Sequence, residues 1–167
     1  MRGYIPAVLM VAAFACGKKG SSEDPLVYVG GFQIPVPEEW RNVTPKELTE
    51  KGEVMLQTMK IGDRKDKPSV AIIFSALPEP VTKDPGTPAD CKAHVATLTS
   101  VTVESSSVID LPIGKACSVD AKMGEVHGRQ VVLKVGERGL MANCSHRGGA
   151  EENKLCDAIF QRIAVRK

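Results

Sequence analysis

Lys115-Ala-Cys-Ser-Val-Asp-Ala-Lys-Met123, Val126-His-Gly-Arg-Gln-Val-Val-Leu-Lys-Val135 and Leu140-Met-Ala-Asn-Cys144 decide the fold. In the first stretch Cys117, Val119, Ala121 and Met123 alternate with Ser118, Asp120 and Lys122. That period of two predicts a strand with the first set inward and the second outward. Glycines at 136 and 139 read as turn residues, and Val101 to Ile109 precedes with the same β-rich composition. Together these segments predict successive antiparallel strands.

Upstream, Thr87-Pro88-Ala89-Asp90 has the order of a helix start: a hydroxyl N-cap, proline at the first helical position and an acid at the third. The helix is expected over 88–99, with Cys91, Val95 and Leu98 as one buried stripe. A Pro-rich loop over 78–86 precedes it. Ser69 to Leu77 and Val54 to Ile61 read as strands around a charged turn over 62–67. Val70, Ile72 and Phe74 face one side and Ala71 and Ile73 the other, so this strand is expected to be central and covered on both faces. Thr44-Pro45-Lys46-Glu47 repeats the capping order and Gly52 supplies a stop, which predicts a short helix over 45–51. Leu26 to Val29 and Phe32 to Val36, broken by Gly30-Gly31, read as two short strands. Downstream, Leu155, Cys156, Ile159, Phe160 and Ile163 give the apolar face of a closing helix over 150–163, with Glu151 and Glu152 at its start and Arg162 near its end, as the helix dipole favours.

The chain has 167 residues, 43% hydrophobic and 25% charged, which excludes collagen-like, coiled-coil and broadly disordered classes. A net charge of +2 excludes the basic footprint of a nucleic-acid binder, and 4% aromatic content is poor material for stacking platforms. Five cysteines are present. Residues 1–15 read as a signal peptide: Arg2, then an uncharged run from Tyr4 to Ala15 that is too short to span a bilayer. Ala13-Phe14-Ala15-Cys16 resembles the lipobox of bacterial lipoproteins. This implies cleavage before Cys16 and a thiol carrying diacylglycerol, with fatty-acyl chains of the palmitate kind. Residues 16–25 are then the lipidated cysteine and a flexible tether, with a reach of about 17 Å. Gly17 in place of an aspartate implies the outer membrane, facing the periplasm.

Setting Cys16 aside leaves Cys91, Cys117, Cys144 and Cys156, an even set in an exported chain. Four cysteines allow three connectivities. The placement of Cys91 and Cys156 on helix stripes and of Cys117 and Cys144 on strands favours Cys91 with Cys117 and Cys144 with Cys156. No C-x₂-C hairpin supports a zinc site instead.

Phe32-Gln-Ile-Pro-Val-Pro-Glu-Glu-Trp40 resembles the opening of PsbP-like domains, a group that includes extrinsic photosystem subunits and DcrB-type bacterial lipoproteins. Cys156-Asp-Ala-Ile-Phe-Gln-Arg-Ile163 is similar to their final helix. The resemblance implies an α+β fold, an antiparallel sheet flanked by helices, here as one domain over 26–167. It implies no single activity.

The chemistry-bearing residues are sparse. His94, His127 and His146 show no H-x-x-x-H or H-E-x-x-H spacing, and no metal ligand set is assigned. Neither a G-x-S-x-G elbow nor a phosphate loop occurs. The expected function is a non-enzymatic binding or scaffolding role in a bacterial envelope, without cofactor or catalytic residue. The partners are the membrane, through the lipid, and an envelope protein. Tyr28, Phe32 and Trp40 are the candidate lining of a peptide or lipid groove. Two rivals are a periplasmic metal-dependent hydrolase using His127, His146 and nearby acids, and a small-ligand binder with a pocket between sheet and helix.

Overall fold

A computed structural model describes residues 26–37, 39–44, 55–61 and 68–166. The leader, Cys16, the tether, the helix expected over 45–51 and the turn over 62–67 lie outside the described residues.

The strands are β1 (Leu26–Val29), β2 (Phe32–Pro35), β3 (Trp40–Asn42), β4 (Met55–Ile61), β5 (Pro68–Ala76), β6 (Thr102–Leu111), β7 (Gly114–Met123), β8 (Val126–Val135), β9 (Arg138–His146) and β10 (Ala164–Val165). Helix α1 is Pro88–Val95 and helix α2 is Ala150–Phe160. A seven-stranded, wholly antiparallel sheet has the order β3-β4-β5-β9-β8-β7-β6, and a smaller sheet has the order β1-β2-β10. The expected run of neighbours β6 to β9 is present. The chain then closes the sheet by laying β9 against β5, a long-range pairing that turn chemistry does not announce.

Register fixes which residues share a face. Cys117 lies opposite Val132, and Val132 opposite Met141. Cys144 is three residues from Met141, so it points the other way. The two disulfides, Cys91–Cys117 and Cys144–Cys156, therefore fasten α1 and α2 to opposite faces of the sheet. The pairing is the one expected. On the α2 face, Val70, Ile72, Phe74, Val131, Leu133, Phe160 and Ile163 form the main core, joined by Val29, Phe32 and Ile34 of the small sheet. Phe74 and Phe160 meet edge to face at 6.5 Å. On the α1 face, Cys91, Cys117 and Val119 form a smaller cluster with Val95, Leu98, Val103 and Val108 against it.

Several local expectations are corrected. Helix α1 stops at Val95 rather than 99. The Thr97 hydroxyl takes the His94 carbonyl, and Leu98 N–H bonds Val95 in a three-residue step, so the α-helical ladder gives out. Leu98 still packs on the cluster, as its stripe position requires. Helix α2 stops at Phe160, which leaves Arg162 beyond its end. The chain must turn there to form β10, which pairs with Gln33 and Phe32. Trp40 closes a turn by donating its N–H to the Pro37 carbonyl at 2.8 Å, and there begins β3, paired with Lys60. Within β7, Ser118 was expected outward and is 8% exposed, while Met123 was expected inward and is 61% exposed. Both faces of β7 are covered at its centre, whereas Met123 lies at the hairpin end, beyond α1. The N-cap of α1 is as expected, with Thr87 Oγ1 accepting from Asp90 N–H at 3.2 Å. The β1–β2 turn needs positive φ at Gly30 (54°) and Gly31 (81°), which only glycine adopts without strain.

An eight-residue helix is too short to hold its own conformation in water. Its fastening to β7 closes a loop of 26 residues, and the α2 bond closes one of 12. Replacing either cysteine pair by alanine is expected to lower unfolding free energy by about 3 kcal/mol, read from urea denaturation. The Cys91–Cys117 variant should also lose hydrogen-exchange protection first in α1, with the β8–β9 amides protected as in wild type.

Candidate functional site

Two polar constellations lie on opposite faces of the β8–β9 pair. On the α2 face, Arg129 of β8 projects between β7 and α2. Its Nε and Nη2 donate to the two oxygens of Asp120 at 2.7 and 3.1 Å. Its Nη1 donates to both oxygens of Asp157, at 2.8 and 2.7 Å. Ser105 Oγ donates to Asp120 at 2.9 Å from the edge strand. The hydrogen bonds from Arg129 hold the Asp120 carboxyl below its usual range against the opposing effect of burial. The same bonds, Asp120 first, raise the Arg129 pKa. Every charge here is engaged by another, so the cluster ties α2 and β6 to the sheet and leaves no group turned to a substrate.

His127 and His146 are directly opposed on β8 and β9, their rings 6.1 Å apart and nearly parallel. Helix α2 covers His146, which is 4% exposed. Asn153 Oδ1 is an acceptor 2.9 Å from His146 Nε2, so that nitrogen carries the hydrogen. Nδ1 is then a bare lone pair, buried without a partner. His127 Nδ1 stands 3.7 Å from Glu104. His94 is on α1, across the sheet from both. The structure thus brings His127 and His146 together and separates His94. Among the described residues no group of three or more His, Cys, Asp or Glu is placed to share a metal ion.

The α1 face carries the second constellation. His94 Nε2 meets Gln130 Oε1, and Gln130 Nε2 donates to Asn143 Oδ1 at 2.6 Å. Because the Gln130 amide nitrogen is used on Asn143, its oxygen must accept, and His94 must be the donor. The relay ends on the Asn143 amide nitrogen, which has two N–H donors. Beside it is a cavity of about 350 Å³ lined mostly by apolar side chains, Leu98, Val101, Val119, Met123 and Val126 among them, with Gln130, Asn143 and Ser145 as polar members. Ala121, Gly128 and Ser145, one residue from each of β7, β8 and β9, sit directly opposite one another and make its floor. A Cβ on Gly128 would stand 3.5 Å from the Cys144 carbonyl, an ordinary contact, so glycine there leaves space rather than relieving a clash. A second cavity of about 200 Å³ lies on the other flank of α1, lined by Leu77, Val81, Ala93 and Val132.

The three candidate groove residues do not share a surface. Phe32 (0% exposed) and Trp40 (6%) belong to the core, because the small sheet and β3 pack their inner faces there. Only Tyr28 is exposed, with the Arg166 guanidinium 5.0 Å from its ring centre. The residues around the cavity were not singled out by sequence. Two signals point to them: a glycine inside the β8 pattern, and amides at 130 and 143 in strands otherwise rich in valine, leucine and alanine.

Arg129→Met leaves Asp120 and Asp157 without their cation and is expected to cost about 2 kcal/mol, read from thermal or urea unfolding at pH 7. Asp120 is depressed in the folded state, so its contribution is present above the ordinary carboxylate value of 3.8 and lost as pH falls through the lower folded value. Wild type should therefore lose stability on acidification below about pH 4, and the Arg129→Met variant should lose less over the same interval.

No family model matches the chain, and comparison with curated proteins finds no match. Solved structures do share its fold. The solution structure of cyanobacterial PsbP (CyanoP) from Synechocystis has a TM-score of 0.52 at 16% identity, over 90% of this chain and 97% of its own. A Pseudomonas aeruginosa protein of unknown function gives 0.51 at 12% identity, over 87% of this chain and 99% of that one. A Bacteroides thetaiotaomicron structure gives 0.51 at 14% identity over 82% of this chain; the chain spans 46% of that protein's length. The α+β architecture, an antiparallel sheet flanked by two helices, matches the PsbP-like architecture.

Proposed function

We propose that this chain is a lipid-anchored binding protein of a bacterial cell envelope, with no catalytic step of its own. The observation that carries the reading is the cysteine balance. Cys91, Cys117, Cys144 and Cys156 are all consumed in two disulfides, which persist in an oxidising compartment. The fifth cysteine, Cys16, stands at the end of a short apolar run, where a lipobox places the acylated residue. Two or more acyl chains anchor a protein stably. Gly17 directs it to the outer membrane, periplasmic side. Arg129, Asp120 and Asp157 on the α2 face are occupied with one another, which suits a binding role better than proton transfer. Its binding site is the cavity on the α1 face, with the membrane as first partner and an envelope protein as second.

Chain isolated from envelopes is expected to begin at Cys16 and to carry the added mass of its acyl groups. The Cys16→Ser variant should leave the floating membrane fraction or remain uncleaved. If that variant floats with membranes as wild type does, in processed form, the lipoprotein reading is wrong.

A further inference from the structure

The trough on the α1 face has a shape and a polarity that select one class of occupant. Its floor is a single register row of small residues, Ala121, Gly128 and Ser145, and the row continues to Ala71 on β5. Four strands span three spacings of about 4.8 Å, so the row is about 14 Å long and runs across the strands. On one side stands the row of Val119, Gln130 and Asn143, and on the other the pair Met123 and Val126. Leu98 and Val101, which follow α1, close over one end. The space between these rims is open because only small side chains lie there.

The amides are on one rim, Gln130 and Asn143, with Ser145 on the floor beside them and Ser100 at the covered end. The relay from His94 through Gln130 fixes Asn143 Oδ1 as an acceptor already used, so the Asn143 amide presents N–H donors. Ser145 adds a hydroxyl. The site therefore offers N–H and O–H donors to a head, and a floor of small side chains to a tail. Met123, at 61% exposure, is a flexible thioether at the mouth, suited to cover a tail of variable shape.

We infer that the trough binds a single fatty-acyl chain, its carboxyl or ester oxygen held by Asn143 and its methylenes laid over Gly128. This rests on the binding role proposed above and names its ligand class. The acyl oxygen can come from a free fatty acid or from a lipid ester, and the two are separated by test.

The acylated full-length protein in phosphatidylcholine nanodiscs is titrated with dodecanoate, monododecanoyl glycerol and dodecylamine, with backbone amide resonances as the readout. Dodecanoate, the glycerol ester or both should shift the amides of Gly128, Asn143 and Ser145 saturably. A response to dodecanoate alone assigns a free acid, and one to the ester alone a lipid. Decanoate, two methylenes shorter than dodecanoate, should bind about fifteenfold more weakly than its longer homologue if the acid binds. Gly128→Leu fills the floor without a backbone clash and should abolish the shifts while both disulfides form. Ser145→Leu, at an exposed position, blocks the same floor and serves where the first variant fails to fold. No saturable shift with either acyl compound overturns the inference. So does equal binding of dodecylamine, or undiminished binding in the folded variants. The mass of the same sample reports acylation of Cys16 separately, so failure of the anchor and failure of the trough are read independently.

Discussion

Coverage of the β7–β8–β9 strands on both faces is the constraint to which the remaining features answer. Val131 and Leu133 face one side and Val132 the other, all of them buried, so neither side can be left to water. The coverage comes from two short helices, eight and eleven residues long, joined on the α2 side by the small sheet. Packing area alone holds such helices weakly. Each is fastened by one disulfide, Cys91 to Cys117 and Cys156 to Cys144, at a position facing the sheet. The α2 side has a second tie in Arg129, which spans Asp120 on β7 and Asp157 on α2. The α1 side has the His94–Gln130 contact in the corresponding place. Each helix is thus pinned by one covalent and one polar tie, with apolar packing between.

Local patterns were legible where a local cause sets them. Alternation gave β7, the Thr87-Pro88 order gave the start of α1, and the positions of four cysteines on predicted helices and strands favoured their pairing. What was hidden is non-local. β10 is only two residues long and exists because Phe32 and Gln33 offer an edge some 130 positions away in the chain. Trp40 as a strand residue depends on β4 lying beside it. Ser118 reads as a solvent position from alternation, yet it is buried because the second face of β7 is also covered. The cavity was hidden for a related reason: Ala121, Gly128 and Ser145 form a floor only when three strands are in register, and no single segment shows that.

The two faces differ in how their polar groups are used. On the α2 face, Arg129 places four of its hydrogen bonds on two carboxylates, and the His146 Nε2 hydrogen is taken by Asn153. The Arg129 network is self-contained, and its energetic role is to hold α2. On the α1 face the relay has a direction. His94 donates, Gln130 passes the polarity on, and Asn143 ends with donors beside a cavity. A polar chain that terminates at a cavity rather than in a partner side chain is the arrangement expected of a group kept for a ligand.

That difference ties the α1-face cavity to the Cys91–Cys117 bond. Leu98 and Val101, which close the trough, follow α1 directly, and His94, which polarises Gln130, is on α1 itself. The position of α1 depends on the Cys91–Cys117 bond, since its other contacts are one small apolar cluster and one imidazole–amide pair. Without that bond the trough would lose the anchor of its cover, and Asn143 the relay that orients it. The main core on the opposite face does not share this dependence, because Phe74, Phe160 and Ile163 pack with the small sheet as well as with α2. The fold therefore separates two tasks by face. One face is held by a broad core, and the other keeps the cover of its cavity through the Cys91–Cys117 bond.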